Sequence, residues 1–301
     1  MLRKGDLVRL VSPASYPEQA HVAAHINTIE SWGLRCDTGR HILDEYGYMA
    51  GTDCDRLNDI NVAFKDPDVK AILTIRGGSG AYRIADDIDF AAVRSNPKPV
   101  IGFSDITNLH LALLARCQLG CIHGCIWGDT AQRSVKQLLM SKESVVLQAD
   151  SDAVSAGVQI PGRAQGRLIG GNLAEVAHAV GVRMPSMEGA ILFIEHNGSS
   201  GIGTVDRYLT QLVRSGALDG IVGVVLGSFE CLRDRTKQDW TVVDVLHDRL
   251  EVLNVPVLGG IAAGHDIIDD KGNNDQIALP LGSRATLHAN EGTLTIGPIV
   301  S

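Results

Sequence analysis

Aromatic residues are scarce, at 4% of 301 residues. Basic residues are outnumbered, with 27 Lys and Arg against 35 Asp and Glu, for a formal net charge of -8. That balance argues against a protein that grips nucleic acid through its phosphates. No uncharged apolar run is long enough for a membrane-spanning helix, which needs about 18 residues or more. The first residues, M-L-R-K-G-D-L-V-R-L-V, lead straight into a strand, with no apolar signal core and no small-residue cleavage site. A cytoplasmic, reducing location is therefore expected. Cysteine is also sparse: Cys36, Cys54, Cys117, Cys121, Cys125 and Cys231. Cys117, Cys121 and Cys125 are separated by three-residue gaps with His123 among them, whereas zinc knuckles use two-residue gaps in paired sets. Small buried thiols are expected, not a metal. The acidic run Asp266 to Asp275 does not fit a calcium loop and reads as solvated. R-G-G-S-G at Arg76 to Gly80 is neither G-x-G-x-x-G nor a phosphate-binding P-loop. No cofactor is expected.

What is present is a soluble, globular composition. Hydrophobic residues make up 45%, charged residues 21%, and there are 33 glycines. Such a length suggests two domains of roughly 150 residues each. Short apolar strands alternate with helices: strands at Leu7–Val11, Ala71–Ile75 and Val100–Ile101, helices at Glu18–Trp32 and Asp53–Lys65. In the second half, strands at Ala190–Ile194, Ile221–Leu226 and Val257–Ile261 alternate with helices at Val205–Ser215 and Thr241–Leu253. The pattern predicts an α/β fold with parallel sheets wound by crossovers. Residues 1–145 are expected as a first domain, 146–162 as a polar linker and 163–301 as a second domain.

Four strand ends carry pointed residues, and ligands gather at such ends in parallel sheets. Ile75 leads to Arg76, Gly77 and Gly78, Ile101 to Ser104, Ile194 to Glu195, and Ile261 to His265. Ser104 sits on a strand-to-helix corner. A serine there caps the helix or serves as a nucleophile beside free helix amides; on position alone capping is the commoner role. A serine, glutamate and histidine in that order can perform acyl transfer. The N–H of Asp105 and one from Gly77 or Gly78 could then hold an oxyanion. The bland readings stand beside these: a turn at Arg76–Gly80, a strand end at Glu195, and an ordinary hydrogen-bonded His265. His123 and His196 compete as the base.

Motifs in order along nearly the whole chain resemble the LD-carboxypeptidases, a family of serine peptidases. They are G-D-L-V-R-L-V-S-P-A-S from Gly5, R-L-N-D-I from Arg56, D-P-D-V-K-A-I from Asp66, R-G-G-S-G-A-Y-R from Arg76 and P-K-P-V-I-G-F-S-D-I-T-N-L-H from Pro97. The second half adds H-G at His123, G-R-L-I-G-G-N-L from Gly166, I-L-F-I-E from Ile191, V-D-R from Val205 and P-V-L-G-G-I-A-A-G-H from Pro256. The resemblance implies a Rossmann-like first domain carrying the nucleophile Ser104. It implies a second α/β domain with a small barrel-like β core carrying the acid Glu195 and the base His265. It further implies no metal, a homodimer, and a murein tetrapeptide substrate cut before its terminal D-alanine. Departures fall on segments flanking the cleft: Ser79 where an aromatic is usual, the run His196 to Ile202 in place of further acidic residues and a tyrosine, and a long acidic loop after His265. Two other readings remain. One is an immunity-type hydrolase of peptidyl or aminoacyl nucleotides, with Trp127 stacking on the base; the other is a non-catalytic peptide- or sugar-binding module.

Overall fold

The computed structural model describes residues 1–229 and 240–299. Cys231 lies outside the described residues. The first half supplies β1 (Leu7–Val11), β2 (Arg35–Thr38), β3 (Val69–Thr74), β4 (Val100–Gly102) and β5 (Cys121–His123), all mutually parallel. Alternation sends neighbouring residues to opposite faces. In β3, Ile72 joins the layer holding Ile60, Phe64 and Leu109, while Leu73 joins the layer holding Ile29, Val135 and Leu138. Both faces of the inner strands are covered, so β3 and β4 read as near-continuous apolar runs, whereas the edge strand β2, Arg35–Thr38, is polar and partly exposed. The helix Asp53–Lys65 has the bounds expected from sequence, because Thr52 opens it with a capping box closed by Asp55.

The second half supplies β6 (Val145–Gln148), β7 (Gln159–Ile160), β8 (Arg163–Asn172), β9 (Ala190–Glu195), β10 (Gly223–Leu226), β11 (Val257–Leu258), β12 (Leu279–Leu281), β13 (Arg284–His288) and β14 (Thr293–Ile296). Its sheet runs β6-β14-β13-β8-β9-β10-β11-β7, parallel from β8 to β11 and antiparallel on both flanks. β9 is wholly buried, with Ile191 and Phe193 on one face and Leu192 and Ile194 on the other. Glu195 continues the face of Ile191 and Phe193 by the same alternation.

Two features differ from the sequence reading. The stretch 146–162 is not a bare linker: β6 and β7 within and beside it form the two edges of the second sheet. Both are short and half exposed, so they lack the apolar signal of a core strand. The second departure is β12, which pairs antiparallel with β5 and so closes the edge of the first sheet. The segment expected to belong wholly to the second domain thus returns one strand to the first. No helix of the described residues is long and apolar enough to cross a membrane.

Candidate active site

β4 ends at Gly102, and Ser104 opens a 3-10 turn, Ser104–Ile106, ahead of the helix Thr107–Cys117. Ser104 has φ +63°, the left-handed region that a non-glycine residue enters at a cost of about 1–2 kcal/mol. Neither the turn nor the helix has a side-chain cap bond, so the hydroxyl is not a cap. It faces a cleft of about 320 Å³ lined by His21, Arg76, Gly77, Gly78, Phe103, Trp127 and His265. A residue held in strained backbone, with its hydroxyl in a cleft, is the pattern of a functional position.

The glycine loop lies directly against this turn. A Cβ on Gly77 would stand 2.7 Å from Ser104 Cβ and 3.0 Å from the Phe103 carbonyl. Only glycine lets the two backbones approach this closely. Gly77→Ala is expected to lower kcat by about 10²-fold, since a misplacement of about 1 Å has that effect. Stability should fall as well, because Gly77 is buried against the Ser104 turn; steady-state kinetics beside thermal melts read both effects. Arg76 is exposed at the cleft rim, with its guanidinium donating to the Tyr16 carbonyl at 3.3 Å. The first amides of a 3-10 turn lack an acceptor within it, which leaves the N–H of Asp105 available.

Glu195 and His265 meet beneath the cleft. Nδ1 of His265 lies 2.7 Å from Oε2 of Glu195, and the His265 backbone N–H donates to the same oxygen at 3.1 Å. Asn172 donates from Nδ2 to Oε1 at 3.1 Å. Glu195 is fully buried. Burial alone would raise its carboxyl, but the charge and hydrogen bonds of His265 hold it down, to about 2. Burial alone would depress His265; Glu195 outweighs it and raises the imidazole above its ordinary value. The glycine before His265 is required. Gly264 has φ +118°, and a Cβ there would meet Glu195 Cβ at 2.7 Å.

The rival histidines lie near the pair, but His265 is the one hydrogen-bonded to Glu195. His123 is fully buried between Phe103 and Phe193, with ring centroids at 6.0 and 5.1 Å, and burial pushes it down to about 4. Neither of its nitrogens has a partner. Nε2 of His196 is engaged by Ser200 Oγ at 2.7 Å. Trp127 lines the cleft, held edge-on by His21 and His25 with centroids 4.7 and 4.3 Å away. Cys121 and Cys125 are buried thiols, pushed up by burial to about 12 and about 11. Among the described residues, ligand atoms converge only at His41, Asp44 and Asp55, part of a surface ion-pair cluster in which His41 and Asp44 bond at 2.7 Å. The acidic loop after His265 is less solvated than its composition suggests. Asp275 accepts from the N–H groups of Thr130 and Ala131 at 2.6 and 2.9 Å, capping the helix Asp129–Met140 from the other half of the chain. Sequence reasoning missed Asn172; the sole local signal was its place at the end of a strand, ahead of the helix Leu173–His178 that it caps.

An α/β chain that gathers a strained serine and a buried carboxylate–imidazole pair at one cleft presents the groups that the serine-hydrolase class uses. The chain matches the LD-carboxypeptidase N-terminal domain over residues 8–124 and the C-terminal domain of the same peptidases over residues 165–287. It is 36% identical to a Streptomyces coelicolor protein named as a candidate carboxypeptidase, over 98% of this chain and 94% of that one. It therefore belongs to the LD-carboxypeptidase family. A murein tetrapeptide carboxypeptidase of Pseudomonas aeruginosa is 29% identical over 94% of this chain and 93% of that one. Two solved structures share the fold. One is a muramoyltetrapeptide carboxypeptidase from Oxalobacter formigenes, at TM-score 0.84 and 26% identity over 98% of this chain and all of that one. The other is an MccF-like protein from Bacillus anthracis, at TM-score 0.85 and 24% identity over 99% and 98%.

Proposed function

We propose that the protein is a serine-type LD-carboxypeptidase. It hydrolyses the amide between the L-centre of a diamino acid and the terminal D-alanine of a murein tetrapeptide. The observation that carries this reading is the 2.7 Å contact of His265 Nδ1 with the buried Glu195, in the same cleft as Ser104. Ser104 Oγ attacks the scissile carbonyl while Nε2 of His265 takes the hydroxyl proton. Glu195 holds the proton of Nδ1 in place and stabilises the imidazolium. The N–H of Asp105 and that of Gly77 or Gly78 receive the oxyanion. His265 then passes its proton to the departing amine of D-alanine. Water, deprotonated by His265, releases the tripeptide and restores Ser104. Arg76, at the rim, is the cation for the substrate's terminal carboxylate.

The test is mass spectrometry of free tetrapeptide incubated with purified protein. D-alanine and tripeptide should appear with the wild type and not with Ser104→Ala. A nucleotide conjugate run in parallel separates this activity from an immunity-type one. Labelling of Ser104 by a fluorophosphonate separates both from a binding module. The family resemblance extends the proposal to a cytoplasmic homodimer that recycles cell-wall peptides.

The acid limb of kcat/KM follows from the same pair. His265 acts as base only when neutral, so activity should fall as pH drops through its raised value, above the ordinary histidine value of about 6.5. Replacing Glu195 by glutamine removes the charge that raises it, so the residual activity should persist to lower pH. A limb wholly unchanged in Glu195→Gln would show that His265 does not contribute to it.

A further inference from the structure

The side chain of Asp105 takes no direct part in the chemistry above, yet it is buried immediately after Ser104. Its Oδ2 accepts the N–H of Ala81 at 2.7 Å, where the glycine loop ends. Its Oδ1 accepts Nδ2 of Asn108 at 3.2 Å. The same amide donates to Oε2 of Glu175 at 2.7 Å, in the second half of the chain. The amide oxygen of Asn108 is not idle. It accepts NH1 of Arg183 at 3.0 Å, and Arg183 also grips the Tyr82 carbonyl at 3.0 Å and Asp86 at 2.6 Å. At its other end the glycine loop is held by Ser15, whose N–H donates to the Gly77 carbonyl at 3.1 Å and whose hydroxyl accepts from Ser79 N–H at 3.2 Å. Buried Arg56 fixes the Gly80 carbonyl at 2.8 Å.

The loop and the serine turn are two separate backbone segments that must present N–H groups to one oxygen. Nothing in either segment alone sets their spacing. The Asp105 carboxylate is covalently part of one and hydrogen-bonded to the other.

We propose that Asp105 is a positioning residue whose carboxylate locks the glycine loop in register with the Ser104 turn, and that Asn108 ties this lock to Glu175 and Arg183 across the interface between the two halves. The inference rests on the serine-hydrolase reading. Two donors, Ala81 N–H and Asn108 Nδ2, call for the ionised form, which accepts on both oxygens; a protonated carboxyl loses one acceptor. Burial, first, and the Glu175 charge push the carboxyl up to about 7, against the two hydrogen bonds and Arg56. The charged and titratable groups that act on it are Glu175, Arg56 and Tyr82, with Arg183 and Asp86 linked to it through Asn108. The lock therefore opens as pH falls through about 7, in the same direction as protonation of His265.

The experiment compares D-alanine release by wild type, Asp105→Asn, Glu175→Gln and Ser104→Ala across pH. Asp105→Asn should lower kcat by about 100-fold, with KM within about threefold, because substrate contacts are kept while the transition-state geometry is lost. The limiting slope of the acid limb should fall from two protons to one. Glu175→Gln, which leaves the Asp105 carboxylate in place, should shift the limb to lower pH, because a negative charge that favours protonation has gone. A kcat within about threefold of wild type in Asp105→Asn, or an acid limb unmoved in Glu175→Gln, overturns the inference. No D-alanine from the wild type, or undiminished release by Ser104→Ala, instead overturns the underlying reading.

Discussion

Ser104→Ala is expected to lower kcat/KM for tetrapeptide hydrolysis by about 10⁴-fold or more, since removing a nucleophile leaves only the catalysis of the oxyanion site and binding. The same substitution should leave stability almost unchanged. The hydroxyl caps no helix amide, and alanine inherits the same strained backbone at φ +63°. Ser104→Gly makes the contrast sharper. Activity is lost equally, but glycine adopts this φ freely. Relief of about 1–2 kcal/mol of strain, offset by the added unfolded-state entropy of glycine, should raise stability by up to about 1 kcal/mol. D-alanine release and thermal unfolding, measured on the three proteins together, read both effects. A catalytic serine that gains stability when removed is one whose geometry is held for function. A Ser104→Ala protein that still turns over substrate at near the wild-type rate would remove serine from the mechanism.

The second large effect separates the two members of the buried pair. His265→Ala should abolish activity and also destabilise by about 3–5 kcal/mol, because it strands a buried carboxylate. Asn172 Nδ2 and the backbone N–H of residue 265 are then the remaining donors to Glu195. Glu195→Gln should cost a comparable share of activity, about 10⁴-fold, through loss of the correct imidazole tautomer. It leaves no buried charge, so its stability loss should be the smaller. The pH dependence of stability carries the same signature. The lowered Glu195 contributes stability that is present above the ordinary carboxyl range and lost as pH falls towards about 2. The raised His265 contributes stability that is present below its unfolded value of about 6.5 and lost as pH rises through the folded one. The pair therefore stabilises most between those limits. Denaturant titrations of wild type and both variants at pH 5.5 and pH 8 should show the wild-type advantage over Glu195→Gln shrinking at the higher pH. Equal stability losses for His265→Ala and Glu195→Gln would mean that the carboxylate is not stranded.

The helices, the parallel strands and the strand-end positions of Ser104, Glu195 and His265 were legible because each is written in local sequence. Apolar runs marked the strands: Ser104 stands just past β4 and Glu195 closes β9, whereas β11 ends at Leu258, short of the expected Ile261 and well before His265. Whether Ser104 was a cap or a nucleophile was not legible from the residues. That question turns on where its hydroxyl points and on the absence of a cap bond, both set by the backbone at one residue. Asn172 escaped notice because its partner, Glu195, lies on the next strand, and register across a sheet leaves no local mark. Asp275 read as solvent-facing for a similar reason: the helix it caps begins at Asp129, far back in the chain. The edge strand β12, L-P-L, is short and holds a proline, a residue confined to sheet edges. Its sequence gives no hint of which sheet it joins.

That strand has a consequence for how the molecule comes into being. The sheet that carries Ser104 is assembled from the first half of this sequence, yet its outer margin is sealed by Leu279–Leu281, made long after β5. Until then β5 presents an unpaired row of backbone donors and acceptors. His265 is late as well, so the Ser104 turn is made before the Glu195–His265 pair can form. The half that bears Ser104 is finished, at this edge, by the half that bears Glu195 and His265.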